Sequence, residues 1–297
     1  MALKRNLFLS LWAIQTTQSM RKIGIVILGI VGLTIIACQS NNSTSNSESK
    51  YFTDSIYSNS LNEYRKHNIY LPKGFDNTKK YPIIYSTDGI EIKKYSFYQK
   101  TLDSLIANKI IKPTILIKSY SNQIIADSSG TLGNGDTMYL TYRYFEYVNQ
   151  THNPILVDRF KNHMNYFNDE LISSVEDKFN QKLTKEDRYF YGVSNGAAFG
   201  MHLLNSHPET IGTYLCFSTF GGDIQSKVWQ SNVDYPKLYF EYGSDEPSFL
   251  KEDAEFLKSK FKELDLFAKI NEFRGGHDYT KWNEKFIKII SKVLEVE

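Results

Sequence analysis

Residues Gly192-Val193-Ser194-Asn195-Gly196 stand between an apolar run, Tyr189-Phe190-Tyr191, and a helix-periodic segment, Ala197 to Leu204. Few features restrict a fold more, because a strand, a sharp turn and a helix must meet here with almost no loop between them. In a G-x-S-x-G turn the glycines let the backbone take a strained conformation without a Cβ clash, so the serine hydroxyl stands above a sheet edge. The helix that starts just after it aims free N–H groups and a positive dipole end at the same point.

A serine hydroxyl is a weak nucleophile at neutral pH; it needs a base, and the base needs an orienting acid. Lys237 to Tyr242 reads as a strand with aromatic and aliphatic positions, broken by Gly243-Ser244-Asp245-Glu246-Pro247, a loop with two carboxylates. A helix-periodic segment follows, roughly Phe249 to Leu264. Phe267 to Phe273 reads as the next strand and ends at Gly275-Gly276-His277-Asp278, ahead of an amphipathic helix over Trp282–Val293. Serine, acid and histidine in that order, each on a loop after a strand, is the arrangement of α/β-hydrolases. Asp245 and Glu246 both remain open as the acid at this point.

Each of these residues has a plainer role to set against the chemical one. There are six histidines, and a lone loop histidine such as His277 is ordinarily a surface residue; the elbow and the acid loop are what single it out. His202 and His207 read as a helix-face residue and a helix end before Pro208. Gly133-Asn134-Gly135-Asp136 lacks the lysine and the strand–helix context of a phosphate loop, so it reads as a turn. No H-E-x-x-H pattern, cysteine pair or acidic loop points to a metal, and no cofactor is implied.

Strand candidates at Lys66–Leu71, Tyr81–Ser86, Thr114–Ser119, Arg188–Val193, Thr213–Ser218, Lys237–Tyr242 and Lys269–Phe273 alternate with helical segments. This predicts an α/β fold, a mainly parallel central sheet with helices on both faces, with ligands at the carboxyl ends of the strands. Residues 51–297 are enough for one large domain of this kind. Tyr120 to Leu156 shows no clear helix or strand and is expected to be a lid or binding wall. Its rings at Tyr139, Tyr142, Tyr144, Phe145 and Tyr147 are expected mostly to pack the loop onto the domain rather than stack on a substrate.

From about Arg65 to the C-terminus the chain resembles the bacterial esterase family of α/β-hydrolases that includes esterase D and enterochelin-type siderophore esterases, feruloyl and acetyl-xylan esterases, S-formylglutathione hydrolases and mycolyltransferases. The likeness rests on an ordered set of segments. They are Asn68-Ile69-Tyr70-Leu71-Pro72-Lys73-Gly74-Phe75-Asp76, Lys80-Tyr81-Pro82-Ile83-Ile84-Tyr85-Ser86-Thr87-Asp88-Gly89, Arg143-Tyr144-Phe145-Glu146-Tyr147, Phe167 to Ile172, and Phe273-Arg274-Gly275-Gly276-His277-Asp278 with Trp282. The resemblance implies a carboxylic-ester hydrolase with Ser194 as nucleophile and His277 as base. It places the acid at Glu246, with Asp245 as the alternative, and expects the backbone amides of Asn195 and Ile90 to bind the oxyanion. Ala197 stands where the family commonly has a further glycine, and residues 89–101 carry no matching substrate-binding pattern.

Residues 1–38 read as an export segment and 39–50 as a flexible serine- and asparagine-rich tether. Met20-Arg21-Lys22 begins a basic region, so translation could start at Met20, and Ile23 to Ala37 is apolar but short for a bilayer span. Its end, Ile35-Ile36-Ala37-Cys38, resembles a bacterial lipobox, which implies lipidation at Cys38 and an exported protein anchored to the membrane. The second cysteine, Cys216, lies in an apolar strand and is expected to be a small buried hydrophobe. Lysine plus arginine (35) nearly balances aspartate plus glutamate (33), which argues against a nucleic-acid surface. The expected partner is a small-molecule or glycan ester, including an acylated glycan or a siderophore. The alternatives are an acyltransferase on the same scaffold and a non-catalytic lipoprotein that binds such a ligand.

Overall fold

The computed structural model describes residues 48–92, 96–131, 137–149 and 156–296. Cys38, the export segment, most of the tether and the Gly133–Asp136 turn lie outside the described residues.

Eight strands form one sheet: β1 (Lys50–Ser58), β2 (Glu63–Leu71), β3 (Ile83–Gly89), β4 (Ile115–Tyr120), β7 (Arg188–Val193), β8 (Thr213–Phe217), β9 (Lys237–Gly243) and β10 (Ala268–Phe273), in spatial order β1-β2-β4-β3-β7-β8-β9-β10. β5 (Ile125–Thr131) and β6 (Thr137–Thr141) pair as a separate antiparallel ribbon. β1 and β4 both run antiparallel to β2, and every pair from β4 to β10 is parallel. The central strands are buried along nearly their whole length because both faces are covered.

One face packs α5 (Asn195–Ser206), α6 (Ser248–Glu263) and the segment of α3 (Arg159–Asn165) and α4 (Ile172–Lys178), which a π-helical turn at Tyr166–Leu171 joins. The other face packs α1 (Phe97–Ala107) and α7 (Tyr279–Val293). The helices present stripes at helical spacing: Leu250, Ala254, Leu257 and Phe261 on α6, and Trp282, Phe286, Ile289 and Ile290 on α7. The chain leaves β3 toward β4 on one side and returns to β7 on the other. Strand order therefore reverses at β3, and the crevice beyond the ends of β3 and β7 is where an open α/β sheet binds ligands.

Two expectations need correction. Tyr120 to Leu156 is not without structure: it holds β5, β6 and the short helix α2 (Tyr142–Tyr147). The ribbon stands apart from the main sheet, with Ile125 and Tyr139 exposed, so burial imposes no apolar alternation on its sequence. The edge strand β1 also had no apolar signature, since its residues alternate between half-buried and exposed rather than between core and solvent; it begins at Lys50, the last residue assigned to the tether. Phe145 and Tyr147 do pack the segment onto the domain, both buried, while Tyr139 is exposed. Cys216 is buried and free.

A buried ionic cluster fixes α2 to the sheet. Arg65 on β2 donates to both carboxylate oxygens of Glu146 at 2.9 Å. Arg159 Nε reaches Glu146 Oε1 at 3.0 Å, and both arginines donate to Glu63 Oε1, at 2.8 and 2.7 Å. Removing Arg65 would take two hydrogen bonds from the Glu146 carboxylate, which is buried from water, and leave Arg159 as its one arginine partner. Arg65→Ala is expected to lower the free energy of unfolding by about 3–5 kcal/mol, measured as a lower urea midpoint.

Candidate active site

Ser194 sits between the end of β7 and the start of α5 with φ 55° and ψ −128°, a conformation that costs a non-glycine residue of order 1–3 kcal/mol. Its amide donates to Phe217 O on β8 at 3.0 Å and its carbonyl accepts from Phe220 and Ala198 at 3.2 and 3.1 Å, so the strained turn is held from three sides. The two motif glycines are required by close approach. A Cβ on Gly192 would lie 2.5 Å from Gly196 O, and one on Gly196 would lie 2.2 Å from Thr87 Oγ1.

His277 and Glu246 arrive on two loops that are stitched together. Ser244 N donates to Phe273 O at 2.8 Å, Asp245 N to Gly275 O at 3.0 Å, and Gly275 N to Ser244 Oγ at 3.2 Å. Gly275 has φ +131°, and a Cβ on Gly243 would meet Gly275 O at 2.3 Å, so glycine is needed on both loops. Beyond the histidine, the Asp278 side chain caps α7 by accepting from Thr280 N at 2.8 Å.

The imidazole lies between the other two residues: Nε2 is 2.9 Å from Ser194 Oγ and Nδ1 is 2.6 Å from Glu246 Oε1. An ionised carboxylate can only accept, which assigns the proton to Nδ1 and leaves Nε2 to accept from the serine hydroxyl. Glu246 Oε2 accepts from Gly243 N at 2.5 Å and from Ser218 Oγ at 2.8 Å, and Ser218 accepts in turn from the Trp282 indole N–H at 2.8 Å. Burial pushes the Glu246 carboxyl up, but the hydrogen bonds from His277, Gly243 and Ser218 outweigh it and hold the group below the ordinary glutamate range. The Glu246 side chain is 1% exposed and that of His277 41%, so the carboxylate is sheltered while the imidazole faces the opening. Asp245, the alternative acid, accepts instead from Ser244 Oγ at 2.9 Å.

The Asn195 amide opens α5 and, as a first-turn N–H, has no acceptor within the helix. The structure departs from expectation at the second oxyanion amide, because Ile90 N–H donates to Asn68 Oδ1 at 3.2 Å. Asn68 is fixed in that orientation by its amide donating to Thr53 Oγ1 and Tyr120 Oη at 3.2 and 3.1 Å, a tertiary arrangement that the local sequence around Ile90 does not show. Next to this turn Arg143 clamps Asp88 through Nε and Nη2 at 2.6 and 3.0 Å and donates to Asn195 Oδ1 at 2.9 Å. The partners of Asp88 and Asn195, like the Ser218–Trp282 support of Glu246, had no sequence signal apart from the position of Arg143 and Trp282 in the resemblance.

Neither His202 nor His207 belongs to this group. His202 Nδ1 lies 2.8 Å from Lys227 Nζ, and burial with that cation pushes its pKa down to about 3. His207 caps the C-terminus of α5.

A cavity of about 670 Å³ opens beside Ser194 and His277, with Tyr51, Phe97, Tyr98, Tyr191, Tyr279 and Trp282 as its aromatic walls. Its polar lining includes Asp88, Arg143, Ser86 and Lys118.

Three hydrolases are among the solved structures that share the fold. The CE1 ferulic acid esterase of the anaerobic fungus Anaeromyces mucronatus superposes with a TM-score of 0.59 at 17% identity, over 82% of this chain and 90% of that one. The IroE-like serine hydrolase of Shewanella oneidensis gives 0.57 at 16% identity, over 82% and 79%. S-formylglutathione hydrolase of Staphylococcus aureus gives 0.55 at 13% identity, over 84% and 98%. Among curated protein sequences there is no match. The profile of the family described as "Putative esterase" matches residues 58–293, a span that runs from the end of β1 to the end of α7 and includes Ser194, Glu246 and His277. The chain is thus a member of the putative esterase family of α/β-hydrolases, carboxylic-ester hydrolases by family.

Proposed function

We propose that the protein hydrolyses carboxylic esters through a Ser194–His277–Glu246 triad. The observation that carries this reading is the continuous hydrogen-bonded chain from Ser194 Oγ through both imidazole nitrogens to Glu246, at 2.9 and 2.6 Å. Ser194 Oγ attacks the ester carbonyl while His277 Nε2 takes its proton. The Asn195 amide binds the oxyanion, and one such donor is worth about 3–4 kcal/mol in the transition state. Collapse of the tetrahedral intermediate expels the alcohol, which receives the proton from His277. A water molecule, deprotonated by the same nitrogen, then releases the acid. Glu246 keeps the imidazole in the required tautomer and stabilises its charged form.

We infer as substrate an acyl ester of a glycan or a siderophore-like molecule, since the aromatic walls suit ring stacking and the half-exposed histidine suits a bulky alcohol. Export and lipid anchoring at Cys38 are inferred from the sequence of residues 20–38 alone. The test is a panel of acetyl, feruloyl and siderophore esters, assayed with and without an acceptor sugar. The reading expects free acid and alcohol in equal amounts. Quantitative transfer of the acyl group to the sugar would make the protein an acyltransferase, and no turnover of any ester would leave it a binding protein.

A further inference from the structure

The cavity beside Ser194 holds a cation that the triad does not use. Lys118 on β4 lines it with a side chain nearly out of reach of solvent; the residue is only 4% exposed. Its ammonium donates to Ser86 Oγ at 3.1 Å and to Thr87 O at 3.2 Å, and it lies 4.2 Å from the centroid of the Tyr98 ring. All three neighbours are neutral. Among the described residues no carboxylate comes within ion-pair distance of Lys118, whereas the other cation of the cavity, Arg143, is neutralised by its two-point contact with Asp88. A buried ammonium without a counter-ion is costly, and proteins keep such groups where something supplies the opposite charge.

Sheet order says which half of an ester would meet it. Ser194 ends β7, the acid and base come from β9 and β10 on one side, and Lys118 lies on β4 on the other. The alcohol leaves on the side where His277 returns the proton, so the acyl chain extends toward β3 and β4. We propose that the preferred acyl group ends in a carboxylate that pairs with Lys118, which makes the substrate a half-ester of a dicarboxylic acid. This rests on the esterase reading above and narrows it to one acyl class.

Burial pushes the Lys118 pKa down to about 8, against a smaller upward pull from Asp88. The ammonium is charged below that value and neutral above it, so the preference for an anionic acyl chain weakens as pH rises past about 8.

The experiment compares 4-nitrophenyl half-esters of adipic and suberic acid with 4-nitrophenyl hexanoate and octanoate, read as the ratio of kcat/KM within each pair. The wild-type ratio is expected to favour the carboxylate by about ten- to a hundredfold in at least one pair, the range of a charge-assisted hydrogen bond. Lys118→Met and Lys118→Gln should bring that ratio to about one or below, and the wild-type ratio should fall between pH 7 and pH 9.5. A wild-type ratio of one or less in both pairs overturns the proposal, with or without a folded variant. So does an equal loss on both members of a pair in the variants, which would mean that Lys118 only braces the Thr87 carbonyl. Should no ester turn over, the esterase reading fails separately. Calorimetric binding of adipate to the Ser194→Ala protein, stronger than to the protein that also carries Lys118→Met, still reads the cation site, and equal binding counts against it.

Discussion

Ser194→Ala lowers kcat for a 4-nitrophenyl ester by about 10⁵- to 10⁶-fold, the loss seen when a triad nucleophile is removed. The protein stays folded, because the methyl group fills the same apex and the three hydrogen bonds by which residue 194 holds the turn are made by its backbone. The variant should even gain slightly in thermal stability if the hydroxyl is held there at a cost. What survives is the part of catalysis that belongs to binding and the oxyanion donor. The measurement is steady-state hydrolysis by both proteins, beside their circular dichroism spectra. Near-wild-type turnover in the variant would remove Ser194 from the mechanism.

Glu246→Gln has the next largest effect, about 10⁴-fold in kcat. The amide would keep the shape of the side chain. Facing Nδ1 with its oxygen, it loses the charge that stabilises the imidazolium; facing it with NH₂, it stabilises the wrong tautomer. Asp245→Asn, one residue earlier, should change kcat by less than about twofold, since Asp245 is hydrogen-bonded to Ser244 and the imidazole Nδ1 is engaged by Glu246. Comparing the two variants discriminates the acids directly. The sign of a linked stability effect follows from the lowered Glu246 pKa. The unfolded chain binds more protons between the folded and the ordinary value, so this contribution is complete above the ordinary glutamate value and is lost as pH falls through the folded one. The stability advantage of wild type over Glu246→Gln should therefore shrink in acid.

Much of this was legible in the sequence because the responsible signals are local. The apolar runs at β3, β4, β7, β8 and β9 are strands buried on both faces, and the amphipathic periods of α6 and α7 each report one covered face. The loops holding Ser194, Glu246 and His277 were visible because glycine is demanded there: at Gly192 and Gly243 by a neighbouring backbone, at Gly196 by the Thr87 side chain, and at Gly275 by its positive φ. The hairpin β5–β6 and the edge strand β1 were not visible, since neither is held by a buried alternating face. Other features depend on residues far apart in the chain. Asn68 takes the Ile90 amide across 22 positions, Ser218 meets Glu246 across 28, and Lys118 reaches Ser86 across 32. No spacing rule marks such partners, because sheet order alone makes them neighbours.

The central claim is that one hydroxyl, that of Ser194, is activated by the imidazole beside it. Covalent labelling by a fluorophosphonate tests this without any knowledge of the natural ester. Intact-mass analysis followed by peptide fragmentation should find a single adduct on Ser194, abolished in Ser194→Ala and formed far more slowly in Glu246→Gln. An adduct on a different residue, or a folded wild-type protein that the reagent leaves unmodified, would contradict the account.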